Sequence, residues 1–415
     1  RGDAVKVMDN LHNISIHQQT LDFHNKFKGK SAIIVCPGPS LSKNVKVLKK
    51  AKGRILIVCV LHAYKALRAE GIEPDIVIHT DPQSLKNLYF EKNGKQVSQW
   101  EEWIENNDFS NVQCFITSSS AAPEMYSVKA KKILWMSPGM SIGDFLPIDL
   151  FDYTRVGGSV SHSAFDLMVE FGFDAIALVG QDLALADNGE VYSDNAKLDK
   201  SKKRLDAFGE VFMAQGWNGK QVKTNNSFSF FGKSYERFAA ALKNDPIRLY
   251  NCTEGGMYIE GFEHIQLEKF VNENFSSDEA VTIDDILTYT KPSDEQKNTL
   301  KKRIRQYTVK NMRLASEIRE LVNSVLLIGE NKKPTDGDLS KFDKLQNKAV
   351  KKMKNNQFYE LGLQKEMYML RSGLLADRSL EGQIGFHLDF LKSARKFNNK
   401  VLKALSEQFK LINAS

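Results

Sequence analysis

Residues 29–42 read GKSAIIVCPGPSLS, and this stretch decides the fold. Its apolar, β-branched run Ser31–Cys36 is typical of a strand buried on both faces of a parallel sheet. The Pro37–Pro39 turn ends that strand, because proline has no N–H to donate to a β-ladder. Ser40 then stands at an N-cap position, before a helical pattern over Leu41–Lys52. A strand, a glycine turn and a capped helix start together form the geometry in which backbone N–H groups bind phosphate.

The stretch does not match either of the common nucleotide-binding motifs. It lacks the GxGxxG spacing of the dinucleotide-binding fold. Gly29-Lys30-Ser31 and Gly232-Lys233-Ser234 both lack the upstream glycine that a P-loop requires. On these residues alone, a plain strand–turn–helix junction is as good an interpretation as a phosphate site.

Length and composition indicate a globular protein of two to three domains. The 415 residues are 42% hydrophobic and 26% charged, which is ordinary for a globular protein with a sizeable core. The net charge of +7 is a mild excess for this length, and no nucleic-acid partner is expected. No run approaches the roughly 20 apolar residues of a membrane span, so none is expected. The chain opens on Arg1, which leaves open whether a further N-terminal domain precedes it.

The four cysteines are scattered along the chain and form no CxxC pair. They lie in or beside predicted strands, where small buried thiols are common. They are Cys36, Cys59, Cys114 and Cys252. We therefore expect reduced, structural cysteines, with no disulfide and no metal site, which suits a cytosolic compartment.

From residue 29 to about residue 270, apolar runs alternate with helical patterns. The predicted strands are Ser31–Cys36, Ile55–Val60, Asp75–His79, Val112–Thr117, Ile133–Met136, Ala175–Val179 and Ile247–Tyr250. The predicted helices are Leu41–Lys52, Ala63–Glu70, Tyr89–Asn106, Pro123–Lys131, Val160–Gly172, Ser201–Gln215 and Ser234–Asn244. This alternation predicts an α/β fold with a Rossmann-like, open, mostly parallel sheet and helices on both faces.

The composition changes after about residue 275, where glycine becomes sparse and Lys, Leu, Gln and Glu dominate. An α-helical C-terminal domain is predicted here, with a first helix from Pro292–Glu295 to about Gly329 and a loop to Gly337. Further helices are predicted over Leu339–Lys354, Tyr359–Gly373 and Leu380–Ile412. The Lys351–Lys354 run indicates a solvated face or, alternatively, a site for an acidic or protein partner. Residues 1–28 show no strong period and are interpreted as the stub of an N-terminal element.

Small, polar and acidic residues gather at the carboxyl ends of the predicted strands and at one helix start. These segments are Gly38–Ser40, Thr80–Pro82, Gly157–Ser159, Gly180–Asp182 and Thr253–Gly256. The carboxyl ends of parallel strands lie at one edge of a sheet, and ligands bind there at the point where the strand order reverses. The five segments together predict a ligand cleft at this edge.

With these motifs in place, the sequence resembles the motility-associated factor (Maf) glycosyltransferases, which modify flagellin in the bacterial cytoplasm. The matching residues are Gly38–Leu41, Gly71–Asp75 leading to Thr80-Asp81, Gly157–Val160, Gly180–Ala184 and Asn251–Gly256. The match covers about residues 27–270, and the helical tail has the placement found in that family. The same core is similar, more distantly, to bacterial sialyltransferases that use CMP-activated sugars.

The resemblance implies a Rossmann-like glycosyltransferase domain over residues 29–275 that acts in flagellin glycosylation and motility. Its donor would be a CMP-activated nonulosonic acid, of pseudaminic or legionaminic type. Its acceptor would be a Ser or Thr hydroxyl of flagellin, with the helical domain, residues 276–415, as a possible acceptor-binding part. No metal or other cofactor is expected, because CMP is a good leaving group.

The resemblance and the strand ends together define a set of candidate site residues. Those expected to bind the donor are Gly38, Pro39, Ser40, Asp81, Gly158, Ser159, Gly180, Gln181 and Thr253. Those expected to be catalytic are Asp182, Glu254 and Asp187. Helix starts at Ser40 and Ser159 offer donors for a phosphate, and a carboxylate offers a general base for the attacking hydroxyl.

The sequence departs from the sialyltransferases at the catalytic residues. Their base is a histidine after the Gly-x-Asp strand, whereas this chain has no histidine between His162 and His264. Their tyrosine just after the aspartate is replaced by Ala184, and Tyr192 is the nearest substitute. The base therefore stays open among the nearby carboxylates Asp182, Asp187, Asp194 and Glu254. Three histidines near strand ends or a helix start are interpreted first as structural: His62, His79 and His162.

An aromatic-rich insertion is predicted between two of the strands. Its members are Tyr192, Phe212, Trp217, Phe228, Phe230, Phe231, Tyr235 and Phe238. The insertion is interpreted as the hydrophobic core of a lid or, alternatively, as a platform for the acceptor or the sugar.

Two other functions remain open. A hydroxymethylpterin pyrophosphokinase of the archaeal type shares the Gly-Pro-Ser turn and acidic strand ends, and it would bind ATP and magnesium through carboxylates such as Asp81 and Asp182. Such enzymes lack the long helical C-terminal domain. A non-catalytic flagellin-binding protein is the third possibility, and the missing histidine supports it.

Overall fold

The computed structural model describes residues 7–80, 89–92, 95–98, 108–137, 158–186, 193, 210–274, 294–329, 335–356, 359, 363 and 380–414. The strands, in chain order, are β1 (Gln18–Gln19), β2 (Ser31–Val35), β3 (Leu56–Val60), β4 (Ile76–His79), β5 (Tyr89–Lys92), β6 (Lys95–Ser98), β7 (Cys114–Ser118), β8 (Ile133–Met136), β9 (Ala175–Val179), β10 (Val211–Gln215), β11 (Gln221–Asn225), β12 (Arg248–Asn251) and β13 (Glu263–His264). The helices named below are α1 (Leu11–Ile16), α2 (Leu41–Ala51), α3 (Leu61–Ala69), α4 (Val160–Glu170), α5 (Asn226–Ala241), α6 (Leu267–Glu273), α7 (Asp294–Gly329), α8 (Asp336–Lys354) and α9 (Leu380–Ala414).

One sheet organises the first part of the chain. Its strands lie in the order β1-β8-β7-β4-β3-β2-β9-β12-β13, and every neighbouring pair is parallel. From β2 the chain runs outward through β3, β4, β7 and β8 on one side, and through β9, β12 and β13 on the other. The order therefore reverses between β2 and β9, which pair from Ser31 with Ala175 to Val35 with Val179. This is the switch point at which open α/β sheets bind ligands.

The central strands form because they are short, continuous apolar runs. β2, β3 and β9 read SAIIV, LIVCV and AIALV, and all their side chains are buried except the half-buried Ser31. Strands covered on both faces need this pattern, since neither face meets water. The α/β fold class is confirmed, and so are the seven predicted strands, each to within two residues.

Two of the predicted helices are wrong where the structure describes them. Part of Tyr89–Asn106 is instead the antiparallel hairpin β5–β6, and the overlooked signal is Asn93-Gly94, a dipeptide favoured in two-residue hairpin turns. The end of Ser201–Gln215 is β10, which pairs with β11 through a turn that contains Gly219 at φ +80°. Residues 99–107 and 201–209 lie outside the described residues.

Two further helix predictions need new bounds. Pro123–Lys131 is reduced to one 3-10 turn over Pro123–Ser127, which the extended residue Val128 ends. α5 begins at Asn226, ahead of the predicted start at Ser234, because the Asn225 side chain accepts a hydrogen bond from the Phe228 N–H and caps the helix. Both errors concern the residue at which a helix begins or ends.

The C-terminal part is α-helical, as predicted. α7, α8 and α9 pack together, and α8 begins at a capping box in which Thr335 and Asp338 exchange hydrogen bonds. The predicted helix Tyr359–Gly373 lies outside the described residues except for Tyr359 and Leu363, which are both buried.

The segment interpreted as an N-terminal stub contributes to both parts of the molecule. Val7, Met8, Leu11 and Ile14 are buried in the hydrophobic core of the helical part. The N–H of His12 donates to Gln408 Oε1 of α9 at 2.8 Å. β1 then adds a short edge strand to the sheet beside β8. The two ends of the described chain are thus packed against each other.

The prediction that the cysteines are small buried thiols is confirmed. All four cysteines are described, and each is a buried free thiol. Burial raises the pKa of the Cys114 thiol to about 12 and raises the pKa of the other three as well, so none is a reactive thiolate. Among the described helices, none combines the length and the apolar character needed to cross a bilayer.

Candidate functional site

The turns after β2 and β9 meet at the switch point. The Cys36 N–H donates to the Val179 carbonyl, and the Gly38 N–H donates to the Gly180 carbonyl, both at 2.8 Å. Gly180 has φ +67°, and a Cβ on it would lie 2.2 Å from the Cys36 carbonyl oxygen. The two turns therefore approach each other more closely than any side chain at Gly180 would allow.

Asp182 connects the two turns through its carboxylate. The Ser40 hydroxyl donates to Asp182 Oδ2 at 2.8 Å, and the Ser40 N–H lies 3.2 Å from Oδ1. A Cβ on Gly38 would lie 2.0 Å from Oδ2, so the absence of a side chain there makes room for the carboxylate. The sequence places Gly38 and Ser40 far from Asp182, and the fold brings them into direct contact.

A third segment closes around the backbone of Asp182. The Met257 N–H donates to the Asp182 carbonyl at 2.7 Å. Gly256 has φ +69°, and a Cβ on it would lie 2.0 Å from that same carbonyl oxygen. Three segments that follow β2, β9 and β12 therefore converge on one residue, which is 8% exposed.

The surroundings of Asp182 change its acidity. Burial raises the pKa of the carboxyl to about 6, although the Ser40 hydrogen bonds and the Lys43 charge act in the opposite direction. Near neutral pH, the group therefore exchanges a proton more readily than an ordinary aspartate.

The start of α4 faces this centre with a serine and a histidine. His162 Nε2 lies 3.0 Å from the Phe231 carbonyl oxygen, and Nδ1 lies 2.8 Å from Ser159 Oγ. Since a carbonyl only accepts, Nε2 carries the proton of the neutral ring, and the Ser159 hydroxyl donates to Nδ1. Ser159 Oγ also lies 2.9 Å from Ser161 Oγ.

A cleft of about 180 Å³ opens between these groups. It is lined by polar residues from the β2 and β9 turns and the start of α4, together with His62 and two aromatic rings, Phe228 and Phe231. This volume suits a phosphate with part of a ribose better than a whole nucleotide sugar.

Gln181 offers this cleft an unused hydrogen-bond acceptor. Its N–H donates to Thr253 Oγ1 at 3.3 Å, whereas its side-chain Oε1 is buried and has no partner within the described part of the chain. A buried amide oxygen without a donor costs roughly 1–3 kcal/mol. A ligand N–H or O–H would remove that cost.

The structure brings together most, but not all, of the predicted site residues. Gly38, Ser159, Gly180, Gln181 and Asp182 line the cleft. Ser40 and Thr253 support it through the hydrogen bonds given above, and Pro39 lies in the turn between Gly38 and Ser40. Gly158 has φ +81° and lies beside Phe230 and Phe231. Asp81, Asp187, Asp194 and Tyr192 lie outside the described residues.

Glu254 has a different environment from Asp182. Its Oε1 accepts from Asn44 Nδ2 at 2.9 Å and from the Leu267 N–H at 3.0 Å, so the carboxylate joins α2 to α6. Lys43 Nζ lies 3.2 Å from the Glu254 carbonyl oxygen. These contacts give the side chain a structural role, and its catalytic role stays a prediction.

The three histidines also have different environments. His62 lines the cleft, whereas His79 is fully buried and its pKa is lowered to about 3 by burial and by the neighbouring His62. His162 lies behind Ser159, with its ring 4.3 Å from that of Tyr235. His62 lies two residues after the carboxyl end of β3, as the second residue of α3, and this nearness to a strand end was the sequence signal for its place in the cleft.

The aromatic insertion does not act as one unit. Tyr235 and Phe238 are buried in the α/β core, Phe228 and Phe231 line the cleft, and Phe230 is 53% exposed. Trp217 donates its indole N–H to the Asn251 carbonyl at 2.8 Å. The hydrophobic-core interpretation therefore holds for Tyr235 and Phe238, and the platform for the acceptor or the sugar stays a prediction.

Comparison with known proteins adds to this geometry. The family model for 6-hydroxymethylpterin diphosphokinase MptE-like proteins matches residues 6–188, which end just after β9. The structure of a Maf glycosyltransferase from Magnetospirillum magneticum AMB-1 superposes with a TM-score of 0.56 and covers 100% of this chain. The chain shares the fold of a Maf glycosyltransferase. The resemblance predicted from the motifs is thus confirmed at the level of the fold.

The sequence identity and the coverage determine what this structural likeness shows. The two sequences are 12% identical, so the likeness concerns the fold and not the reaction. The chain spans 59% of the length of the Magnetospirillum protein. No curated protein has a sequence significantly similar to this chain.

Proposed function

We propose that this protein is a glycosyltransferase that moves a nonulosonic acid, of pseudaminic or legionaminic type, from a CMP-activated donor to Ser or Thr hydroxyls of flagellin in the bacterial cytoplasm. The observation that carries the proposal is the fold shared with a Maf glycosyltransferase along the whole chain. That likeness includes the helical part, which the diphosphokinase family model does not reach. The cleft at the switch point supports the proposal, because its volume suits a phosphate with part of a ribose.

The start of α4 is the proposed phosphate site. The His162 N–H donates to the Ser159 carbonyl at 3.1 Å, and the Val160 and Ser161 N–H groups ahead of it belong to the first turn, whose N–H groups have no i−4 partner in an α-helix. The Ser159 and Ser161 hydroxyls lie 2.9 Å apart beside them. The Gly38–Ser40 turn would form the opposite wall, with Ser40 engaged by Asp182. The unpartnered Gln181 Oε1 would accept from a ribose hydroxyl or a base amine.

Asp182 is the proposed general base. Its carboxylate lines the cleft, and its raised pKa of about 6 suits proton abstraction near neutral pH. The acceptor hydroxyl would give its proton to Asp182 as its oxygen bonds to the anomeric carbon. The bond from that carbon to the CMP phosphate oxygen would break, and CMP would leave with the electron pair. Asp81, Asp187 and Glu254 keep their predicted roles as proposals.

A transfer assay tests this proposal. The chain is incubated with flagellin and either CMP-pseudaminic or CMP-legionaminic acid, and the intact mass of flagellin is measured. We expect a mass increase that Asp182→Asn abolishes. Asp174→Asn is the matched control, because Asp174 is an exposed carboxylate at the amino end of the same strand β9. Unchanged transfer by Asp182→Asn would remove Asp182 from the reaction, and no transfer with either donor would refute the donor class.

The second candidate function is a diphosphokinase that uses ATP and magnesium. The match of the MptE-like family model to residues 6–188 favours it. Thermal unfolding with added nucleotide separates the candidates. Stabilisation by CMP without magnesium supports the sugar transferase, and stabilisation by ATP that requires magnesium supports the diphosphokinase. A lack of any nucleotide effect supports a non-catalytic flagellin-binding protein.

A further inference from the structure

A long basic segment lies on α7, away from the cleft. Between Lys297 and Arg313 this helix carries seven basic residues and no Asp or Glu. These residues are Lys297, Lys301, Lys302, Arg303, Arg305, Lys310 and Arg313. Such a run on a single helix is much more basic than the mild excess of the whole chain.

Four of these cations line a groove of about 610 Å³ between α7 and α9. They are Lys302, Arg305, Lys310 and Arg313, and all four are exposed. At 1.5 Å of rise per residue they extend over roughly 16 Å of the helix. The groove is therefore long enough for several residues of a peptide.

The floor of the groove is apolar. Val309 and Leu314 of α7 and Phe409 of α9 line it, and each is half-buried. Cations above an apolar floor fit a ligand that presents carboxylates and an apolar side chain together.

The positive charge in the groove is not neutralised by the described part of the chain. Within the described residues, no carboxylate lies within salt-bridge distance of the four cations. Glu317, at one end, bonds instead to Lys352 of α8. Lys302 with Arg305, and Lys310 with Arg313, are like-charged pairs at i,i+3, which repel each other on a helix. An anionic ligand would remove that repulsion.

We propose that this groove binds an acidic, amphipathic peptide segment of a partner protein. The carboxylates of the segment would contact the four cations, and its apolar side chains would pack on Val309, Leu314 and Phe409. A peptide fits better than a nucleic acid, because the mainly aliphatic floor packs against apolar side chains and offers nothing to a phosphate backbone. The proposal does not depend on the transfer reaction, since none of these residues lines the cleft.

Fluorescence anisotropy on the full chain tests the proposal. The probe is a fluorescein-labelled peptide with glutamates and leucines at helical spacing, and the matched probe has glutamine in place of every glutamate. We expect the acidic peptide to bind at least about tenfold more tightly, and its affinity to fall as salt screens the charges. Equal binding of both peptides, or no binding of the acidic peptide, overturns the proposal.

A charge-reversal variant tests whether the acidic peptide binds in the groove. The double variant Lys310→Glu and Arg313→Glu should lower the affinity for the acidic peptide at least about tenfold. The control is Lys396→Glu with Lys400→Glu, an exposed pair on α9 that makes the same change in net charge and does not line the groove. Circular dichroism verifies that both variants are folded. An equal loss in the control, or tighter binding of a labelled oligothymidylate than of the acidic peptide at the same salt, overturns the proposal.

Discussion

The cleft and the basic groove use polar residues in opposite ways. At the cleft, Asp182 is almost completely buried, and glycines at positions 38 and 256 let backbone and carboxylate approach it closely. In the groove, the side chains of Lys302, Arg305, Lys310 and Arg313 are long and exposed, and they have no fixed partners among the described residues. The difference indicates that the cleft depends on exact atomic positions, whereas the groove depends on summed charge. Single substitutions should therefore be severe in one region and mild in the other.

Gly256→Ala should have the largest effect. The new Cβ would lie 2.0 Å from the Asp182 carbonyl oxygen, and φ +69° is strained for alanine. We expect a loss of about 4 kcal/mol in the free energy of unfolding, measured by urea denaturation, together with loss of nucleotide stabilisation. Gly219→Ala is the control, because it has a similar φ of +80° and open space around it, and it should cost about 1 kcal/mol. Equal effects at both positions would show that backbone strain alone matters.

Leu11→Ala tests whether α1 belongs to the helical part. Leu11 is fully buried in that core, and truncation of a buried leucine costs about 2–5 kcal/mol. Ile16→Ala on the same helix is the control, because Ile16 is 50% exposed and should cost less than about 1 kcal/mol. The measurement is urea unfolding followed by far-ultraviolet circular dichroism. Similar costs for the two variants would contradict the packing of α1 against α7 and α9.

Asp182 should make stability depend on pH. Its folded pKa of about 6 lies above the ordinary value of 3.8, so the folded state binds the proton more tightly than the unfolded state. The resulting stabilisation is complete below about pH 4 and disappears as pH rises to about 6. Between pH 7 and pH 5 the wild type should therefore gain about 1 kcal/mol relative to Asp182→Asn. Urea unfolding of both proteins at the two pH values measures this, and a constant difference would disprove the raised pKa.

The sheet and the gathering of the polar strand ends at one edge were predictable from the sequence for one physical reason. β-branched apolar runs predict buried strands, and the carboxyl ends of parallel strands share an edge, so Ser40, Ser159 and Asp182 were expected together. The hydrogen bonds between these residues could not be predicted. The contact between Ser40 and Asp182 depends on the missing Cβ of Gly38, which only the folded backbone reveals.

Two other features of the fold were not predicted, for different reasons. The strands β5, β6 and β10 fall within segments predicted to be helical, although an Asn-Gly dipeptide lies between the two strands of each hairpin. The packing of α1 on α9 joins residues at opposite ends of the described chain, and local patterns carry no information about such a contact. Local pattern thus predicts elements well and their distant partners poorly.

Arg313→Gln should have the smallest effect on stability. It removes the i,i+3 repulsion with Lys310, so we expect a gain of about 0.2–0.5 kcal/mol at low salt, measured by thermal unfolding. High salt should abolish the gain, because screening already weakens the repulsion in the wild type. A clear loss of stability would instead show that Arg313 has a fixed partner and that the groove is not an open charged surface.

The packing of α1 has a consequence for how the chain is made. α1 leaves the ribosome before any strand of the sheet, whereas α7 and α9, which cover it, are synthesised after the sheet is complete. At ordinary rates of translation this delay is on the order of tens of seconds. Until α7 and α9 emerge, Leu11 and Ile14 lack the helical surface that covers them in the folded protein. The helical part can therefore reach its final packing only after its last helix has emerged.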